Sequence, residues 1–132
     1  MVELSRAPQS EEPMPSILLV EDEADVAELV QEALLDAGFD VTVALGDQAA
    51  FQALKAEPRS FAALVTDINL GVGVTGFDVA REARRRNSGI KVVYITGHAA
   101  HLSKFGVEEA LMFPKPFDAA ELADQVRMLV RV

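Results

Sequence analysis

Several apolar stretches of the chain are followed directly by a polar residue that could act as a nucleophile, a metal ligand or a hydrogen-bond donor. The stretch Leu64–Thr66 ends in Asp67, and a glycine-containing loop follows. Comparable stretches lead to further candidates, namely Glu21, Asp22, Thr96 and Lys115. Carboxylates that lie close together repel one another unless a cation neutralises them. No histidine or cysteine accompanies these acids, and hard oxygen ligands favour Mg²⁺ or a similar ion.

These residue types also suit one reaction. A carboxylate such as that of Asp67 can act as a nucleophile toward a phosphoryl group and form an acyl phosphate. Phosphoryl transfer is mostly a matter of positioning and charge neutralisation. Lys115 would offset the added negative charge, and the Thr96 hydroxyl would donate to one phosphoryl oxygen. The set therefore predicts a magnesium-dependent phosphoryl site.

The elements that would position these residues alternate along the chain. Short apolar runs predict strands at 16–20, 39–44, 61–66, 90–95 and 109–113. Helical spacing predicts helices over 26–37, from Asp47 to before Pro58, from Thr75 to about Arg86, and after Asp118. Strands that alternate with helices indicate right-handed crossovers and a parallel sheet covered on both faces. Sites in such sheets form at the carboxyl ends of the strands, where all the candidate residues fall.

Local signals refine this picture. Gly38 suits the left-handed position that ends a helix, and Thr75 with Asp78 has the spacing of a capping box. Pro114 places the last strand at a sheet edge. The segment 98–106 predicts one or two helical turns at most, and residues 1–15 read as a flexible tail before a single domain over 16–132.

The composition limits the possible functions. The chain has 132 residues and a net charge of −9, which disfavours direct binding to nucleic acid. It contains no cysteine, which excludes disulfides and thiolate chemistry. It has no apolar run of membrane-spanning length and no signal-peptide core, so we expect a cytoplasmic protein without a membrane partner.

Four local motifs together resemble the receiver domain of bacterial response regulators. They are Ile17-Leu18-Leu19-Val20-Glu21-Asp22-Glu23, Thr66-Asp67-Ile68-Asn69-Leu70, Thr75-Gly76-Phe77-Asp78 and Lys115-Pro116-Phe117. The combination is far more specific than any one motif. The resemblance implies an α/β, flavodoxin-like (CheY-like) three-layer sandwich with strand order 2-1-3-4-5.

The resemblance also implies roles for single residues. Asp67 would accept a phosphoryl group from a sensor histidine kinase or a phosphotransfer protein. Glu21, Asp22, Asp67 and the backbone carbonyl of Asn69 would hold Mg²⁺, and Thr96 and Lys115 would contact the phosphoryl group. The Lys115–Pro116 bond would be cis. Asn69 and His98 occupy the variable positions that influence the rate of dephosphorylation.

The sequence departs from the family pattern at three places. Met112 stands where the family usually has an aromatic residue, and Phe113 beside it should face the opposite side of the sheet. The stretch from Thr96 to Lys115 is short, and Gly71 replaces a frequent proline. With the pair Thr96-Gly97, these features are similar to a subgroup of mostly stand-alone receivers with a short fourth helix.

Other interpretations of the same residues remain open. Each acid alone would be a helix cap or a solvated turn, and His98 and His101 read as exposed loop residues rather than metal ligands. A magnesium-dependent phosphatase is disfavoured because Asn69 stands where such enzymes need a second acid. A pseudo-receiver that binds partners without phosphorylation is disfavoured by the complete set of acids, threonine and lysine.

The expected function is thus a single-domain phosphorylation switch rather than an enzyme. Its own chemistry would be limited to self-phosphorylation from phosphodonors and autodephosphorylation. It would signal through altered contacts with an unknown downstream protein. The expected contact surface comprises the short fourth helix, the fifth strand and the last helix, around Phe105, Met112 and Met128.

Overall fold

The strands and helices of the chain alternate as the apolar patterns predict. The structure, a computed structural model, describes residues 14–57, 60–71, 73–97 and 106–131. The strands are β1 Ser16–Val20, β2 Asp40–Ala44, β3 Phe61–Asp67, β4 Lys91–Thr96 and β5 Ala110–Pro114. The helices in these ranges are α1 Ala24–Asp36, α2 Asp47–Ala56, α3 Gly76–Arg86 and α4 Ala119–Arg131.

The strands form one parallel sheet in the order β2-β1-β3-β4-β5, which confirms the predicted order. Strands β1, β3 and β4 lie inside the sheet and are buried almost throughout. That burial explains their continuous apolar sequences. Strand β5 lies at one edge and ends with Pro114, as the missing N–H group of proline favours.

Three strand boundaries differ from the prediction in an informative way. Asp67 and Thr96 belong to strands rather than following them, because parallel pairing continues to Asp67↔Ile95 and Thr96↔Pro114. Glu109 was expected to begin the last strand, but it adopts a left-handed φ of 59° and lies in the preceding turn. The strand therefore begins one residue later.

The sheet separates two apolar clusters. On one face, Leu54 of α2 and Ala80 of α3 pack with Tyr94, and Met112 packs against this cluster. We call this the α2/α3 side. On the other face, the α1/α4 side, helices α1 and α4 cover Ile95, and Phe113 packs there. Met112 and Phe113 therefore lie on opposite faces, as the alternation of strand side chains predicts.

The predicted helix boundaries have the expected stereochemistry. Gly38 has a φ of +99° after the end of α1. At the start of α3 the Thr75 N–H donates to the Asp78 carboxylate over 2.9 Å. At the start of α4 the Ala120 N–H donates to the Asp118 carboxylate, also over 2.9 Å. Each contact satisfies a backbone donor that the helix leaves unpaired.

Some predictions concern residues outside the described ranges. These are the tail over 1–13, the variable-position residue His98, His101, Phe105 and the short helix predicted within 98–106, of which only Gly106 is described. Among the described helices, none combines the length and apolarity that crossing a membrane requires.

Candidate functional site

The predicted acids and the lysine meet at the carboxyl ends of the strands. A cavity of about 310 Å³ opens there. The described residues that line it are Asp22, Glu23, Asp67, Asn69, Gly71, Gly97 and Lys115. Apolar burial fixes each strand in the sheet, and the polar residue stands at or just after its carboxyl end.

Three carboxylates form the acidic side of the site. Glu21, Asp22 and Asp67 each offer an oxygen, and these oxygens all lie within 4.8 Å of one another. Glu21 is fully buried and Asp67 is 6% exposed, whereas Asp22 is open to solvent. Such close packing of negative charge is unfavourable without a cation.

The hydrogen bonding and the pKa of Glu21 reflect its burial beside the other carboxylates. One of its carboxylate oxygens accepts the Glu23 N–H over 3.2 Å. The other, Oε1, is buried and has no hydrogen-bond partner in the described part of the chain. Burial, and then the charge of Asp67, raise the pKa of Glu21 from 4.5 to about 7. This oxygen is therefore available to accept a hydrogen bond or to contact a cation.

Lys115 supplies the positive charge. Its Nζ donates to the Asp67 carboxylate over 3.2 Å, and its backbone N–H donates to the Thr96 carbonyl over 2.7 Å. The Lys115–Pro116 bond is cis, as the family resemblance implied. Partial burial alone would lower the pKa of Lys115, but the charge and hydrogen bond of Asp67 and the charge of Glu21 outweigh it, so this pKa is raised.

The site has the ligand chemistry of a magnesium centre. Its oxygens are hard ligands, Glu21 Oε1 lacks a partner, and one lysine leaves the three carboxylates incompletely neutralised. A small divalent cation fits these requirements. The residues therefore fit the predicted Mg²⁺.

The backbone around Asp67 is held by several contacts. The buried Thr66 hydroxyl donates to the Asp67 carbonyl over 2.9 Å, and the Asn69 N–H donates to the Asp67 carboxylate over 3.3 Å. Gly76 packs so closely that an added Cβ would lie 2.1 Å from the Asp67 carbonyl oxygen. The end of β3 is thus held by its own neighbours and by the start of α3.

Thr96 lies beside the cavity rather than on its described lining. Its side chain is 3% exposed at the end of β4, and the next residue, Gly97, lines the cavity. Asn69 lines the cavity directly, and its side-chain oxygen accepts the Gly71 N–H over 3.3 Å. The structure thus brings the predicted site residues to one edge of the sheet, although neither Glu21 nor Thr96 is among the described residues that line the cavity.

Sequence reasoning did not assign Glu23, Gly97 or Gly76 to this site. Glu23 adds a further acid to the cavity, and its N–H anchors Glu21. A signal for it was available, since it directly follows the pair Glu21-Asp22. The close approach of Gly76 has no such signal, because it depends on how α3 packs against β3.

Four arginines of α3 contact neighbouring acids or a backbone carbonyl group. Arg81 pairs with Asp78, and Arg85 and Arg86 pair with Glu82. Arg84 donates to the Ile90 carbonyl.

A larger cavity lies elsewhere. It measures about 500 Å³, and Ser60, Asn87 and Lys91 are among the described residues that line it. None of its described lining residues carries a carboxylate. The acidic cluster, rather than cavity size, therefore locates the chemistry.

Known proteins resemble this chain over most of its length. A sequence profile described as "Response regulator receiver domain" matches residues 17–127. The response regulator receiver protein CpdR of Brucella abortus is 31% identical and covers 89% of this chain, which in turn spans 98% of CpdR. The transcriptional regulatory protein TctD of Salmonella typhimurium is 32% identical over 87% of this chain, which spans 51% of TctD.

Solved structures agree with these sequence matches. A response regulator receiver protein from Sinorhizobium medicae superimposes with a TM-score of 0.83 at 35% identity, covering 90% of this chain and 96% of its own. The response regulator protein TrrA from Thermotoga maritima, in complex with Mg²⁺-BeF, gives a TM-score of 0.76 at 26% identity, covering 88% and 99%.

Proposed function

Because the chain belongs to the response regulator receiver domain family, we propose that Asp67 is its phosphoryl-accepting residue. A carboxylate oxygen of Asp67 attacks the phosphorus of a phosphohistidine on a sensor kinase or phosphotransfer protein. The new O–P bond forms as the N–P bond breaks, and the released imidazole takes up a proton. The observation that carries this proposal is the 3.2 Å contact between Lys115 and the Asp67 carboxylate, beside two further acids.

Magnesium is the cofactor that this site suits. Glu21, Asp22 and Asp67 would hold it, together with the backbone carbonyl of Asn69. When bound, Mg²⁺ neutralises the carboxylates and polarises the phosphoryl oxygens. The partnerless oxygen of Glu21 supports this assignment, because a cation or its bound water would satisfy it.

Lys115 and Thr96 complete the proposed site from the other side. Lys115 already contacts the nucleophile, so its charge is in place before the phosphoryl group arrives. Such preorganised charge lowers the barrier without reorganisation during the reaction. Thr96 is joined to Lys115 through its backbone carbonyl, and its hydroxyl would donate to a phosphoryl oxygen.

The modified domain would signal through its contacts with other proteins. We propose that phosphorylation alters the surface formed by β5 and α4, where Met128 is 59% exposed and Met112 is partly buried. The chemistry of the domain itself is limited to accepting phosphate from donors and losing it by hydrolysis. Asn69 stands where a magnesium-dependent phosphatase would need a second acid, which supports this limited chemistry.

One experiment tests this function directly. The protein is incubated with a small phosphodonor and Mg²⁺, and its intact mass is measured. We expect one phosphoryl adduct that is absent without Mg²⁺ and absent in Asp67→Asn. Asp118→Asn is the matched control, since Asp118 caps α4 and is not among the described residues lining the cavity.

The competing functions predict different results. A pseudo-receiver gives no adduct under any condition. A phosphatase shows repeated hydrolysis of a generic phosphate ester that Asp67→Asn abolishes.

A further inference from the structure

Tyr94 is a buried polar residue for which the proposed chemistry has no use. It lies on β4 and is 1% exposed. Its hydroxyl accepts the Val107 N–H over 2.9 Å. Across the sheet it pairs with Met112 of β5, whose thioether side chain has no N–H or O–H group to donate. Of these two paired residues, only Tyr94 of β4 carries an aromatic ring.

The ring of Tyr94 also touches the start of α3. Phe77 meets it in an edge-to-face contact with centroids 5.0 Å apart. The preceding residue, Gly76, packs against the Asp67 carbonyl, and its N–H donates to the Ile68 carbonyl over 2.7 Å. A continuous set of contacts thus joins the acceptor residue to the Tyr94 ring through the first turn of α3.

The other end of Tyr94 holds the turn before β5. We call residues Gly106 to Glu109 the pre-β5 turn. An added Cβ at Gly106 would lie 2.6 Å from the Tyr94 ring, so the ring fills the space beneath this glycine. Arg84 of α3 also holds the turn, since its guanidinium donates to the Glu108 carbonyl over 2.8 Å. The pre-β5 turn therefore depends on β4 and α3 for its position.

We propose that Tyr94 is a positioning residue that transmits the phosphorylation state of Asp67 to the pre-β5 turn. This inference rests on the proposed function and extends it by naming the route and the receiving segment. Thr96 lies two residues beyond Tyr94 on the same strand, so a displacement of the β4 end also reaches the ring. Packed interiors respond to such displacements by changing between discrete arrangements.

The test compares two groups of backbone amides by NMR. Beryllofluoride with Mg²⁺ serves as a stable mimic of the phosphoryl group. In the wild type we expect it to shift the amides of the site, Asp67 to Asn69, and those of Gly106 and Val107. In Tyr94→Phe, which keeps the ring and removes the hydroxyl, the site amides should shift as before. The change at Gly106 and Val107 should fall to less than half.

The matched control is Met112→Leu on the neighbouring strand. It should leave both groups of shifts unchanged, because Met112 does not hold the turn through a polar contact. An undiminished response at the turn in Tyr94→Phe, or an equal loss in Met112→Leu, would overturn the inference. Because each variant is compared with and without beryllofluoride, a purely structural effect of the substitution cancels.

A second measurement needs no variant. Hydrogen exchange of the Val107 amide in the wild type should change when beryllofluoride binds, since its acceptor is the Tyr94 hydroxyl. An unchanged rate, with shifted site amides, contradicts the inference alone. Absence of any shift at the site amides contradicts the proposed function as well.

Discussion

At the scale of single residues, Lys115 balances a site with excess negative charge. Replacing it by methionine keeps the length of the side chain and removes the charge. We expect Lys115→Met to bind Mg²⁺ several-fold more tightly, because a competing cation is lost beside Asp67. We also expect it to accept phosphate at least about tenfold more slowly, because a preorganised charge is missing.

Calorimetric titration with Mg²⁺ and the rate of adduct formation measure the two effects. Lys91→Met is the control, because Lys91 is exposed at the opposite end of β4. Weaker Mg²⁺ binding in Lys115→Met would show that the lysine does not compete with the cation.

Glu21 gives the protein a pH dependence in the absence of metal. Its pKa is raised to about 7, so between pH 4.5 and 7 the folded state holds more protons there than the unfolded state. The free energy of unfolding should therefore fall as pH rises through this window, by up to roughly 3 kcal/mol. Denaturant titrations at pH 5 and pH 8 with a chelator measure this loss.

Glu21→Gln should remove this pH dependence and weaken Mg²⁺ binding. The pKa values of Asp78 and Glu82 are lowered, so these two groups change the free energy of unfolding only below their ordinary pKa values. They therefore do not contribute to the change between pH 5 and pH 8. A metal-free wild type that is equally stable at both pH values would contradict the assignment.

At the scale of elements, the contact between α3 and β3 sets the position of the acceptor. Gly76→Ala should destabilise the protein by about 1–3 kcal/mol, since its Cβ would collide with backbone rather than with a flexible side chain. It should also slow phosphate acceptance, because the Asp67 carbonyl must move. Denaturation midpoints and adduct formation rates measure these changes.

Gly46→Ala is the matched control for this prediction. Gly46 precedes α2 with an extended φ of 173°, and an added Cβ meets nothing within 4 Å. Equal costs at the two glycines would argue against a close packing role for Gly76.

Much of the element structure could be predicted from the sequence. Continuous apolar runs predict the strands β1, β3 and β4. The capping residues Thr75 and Asp118 mark the starts of α3 and α4. Two contacts could not be predicted: the close packing of Gly76 against the Asp67 backbone, and the hydrogen bond from the Val107 N–H to the Tyr94 hydroxyl. Both depend on distances between elements far apart in sequence, which residue type and spacing do not encode.

At the scale of the whole molecule, the binding of Mg²⁺ should increase the free energy of unfolding. A ligand that binds only the folded state stabilises it by about 2.7 kcal/mol at a hundred times its dissociation constant. We therefore expect Mg²⁺ to raise the thermal midpoint beyond the effect of Na⁺ at equal ionic strength. In Asp22→Asn the increment should shrink markedly. Differential scanning calorimetry provides the measurement, and an equal response to both salts would exclude a specific site.

The order of the strands was implied by the family resemblance, whereas the common location of the site residues could be predicted from the parallel sheet itself. Because parallel strands expose their carboxyl ends at one edge, residues as distant as Asp22 and Lys115 had to meet there if the sheet formed. That Thr96 lies within β4 and is almost fully buried was not predictable. It follows from the pairing of β4 with β5, which continues to Pro114.

The sheet also has an evolutionary consequence, because it isolates two apolar clusters from each other. Substitutions around Tyr94 and Met112 repack one cluster, while those around Ile95 and Phe113 repack the other. Related chains can therefore diverge on one face while the packing of the opposite face is preserved. The edge of the sheet that carries the acidic cluster, which both faces share, would tolerate the fewest substitutions.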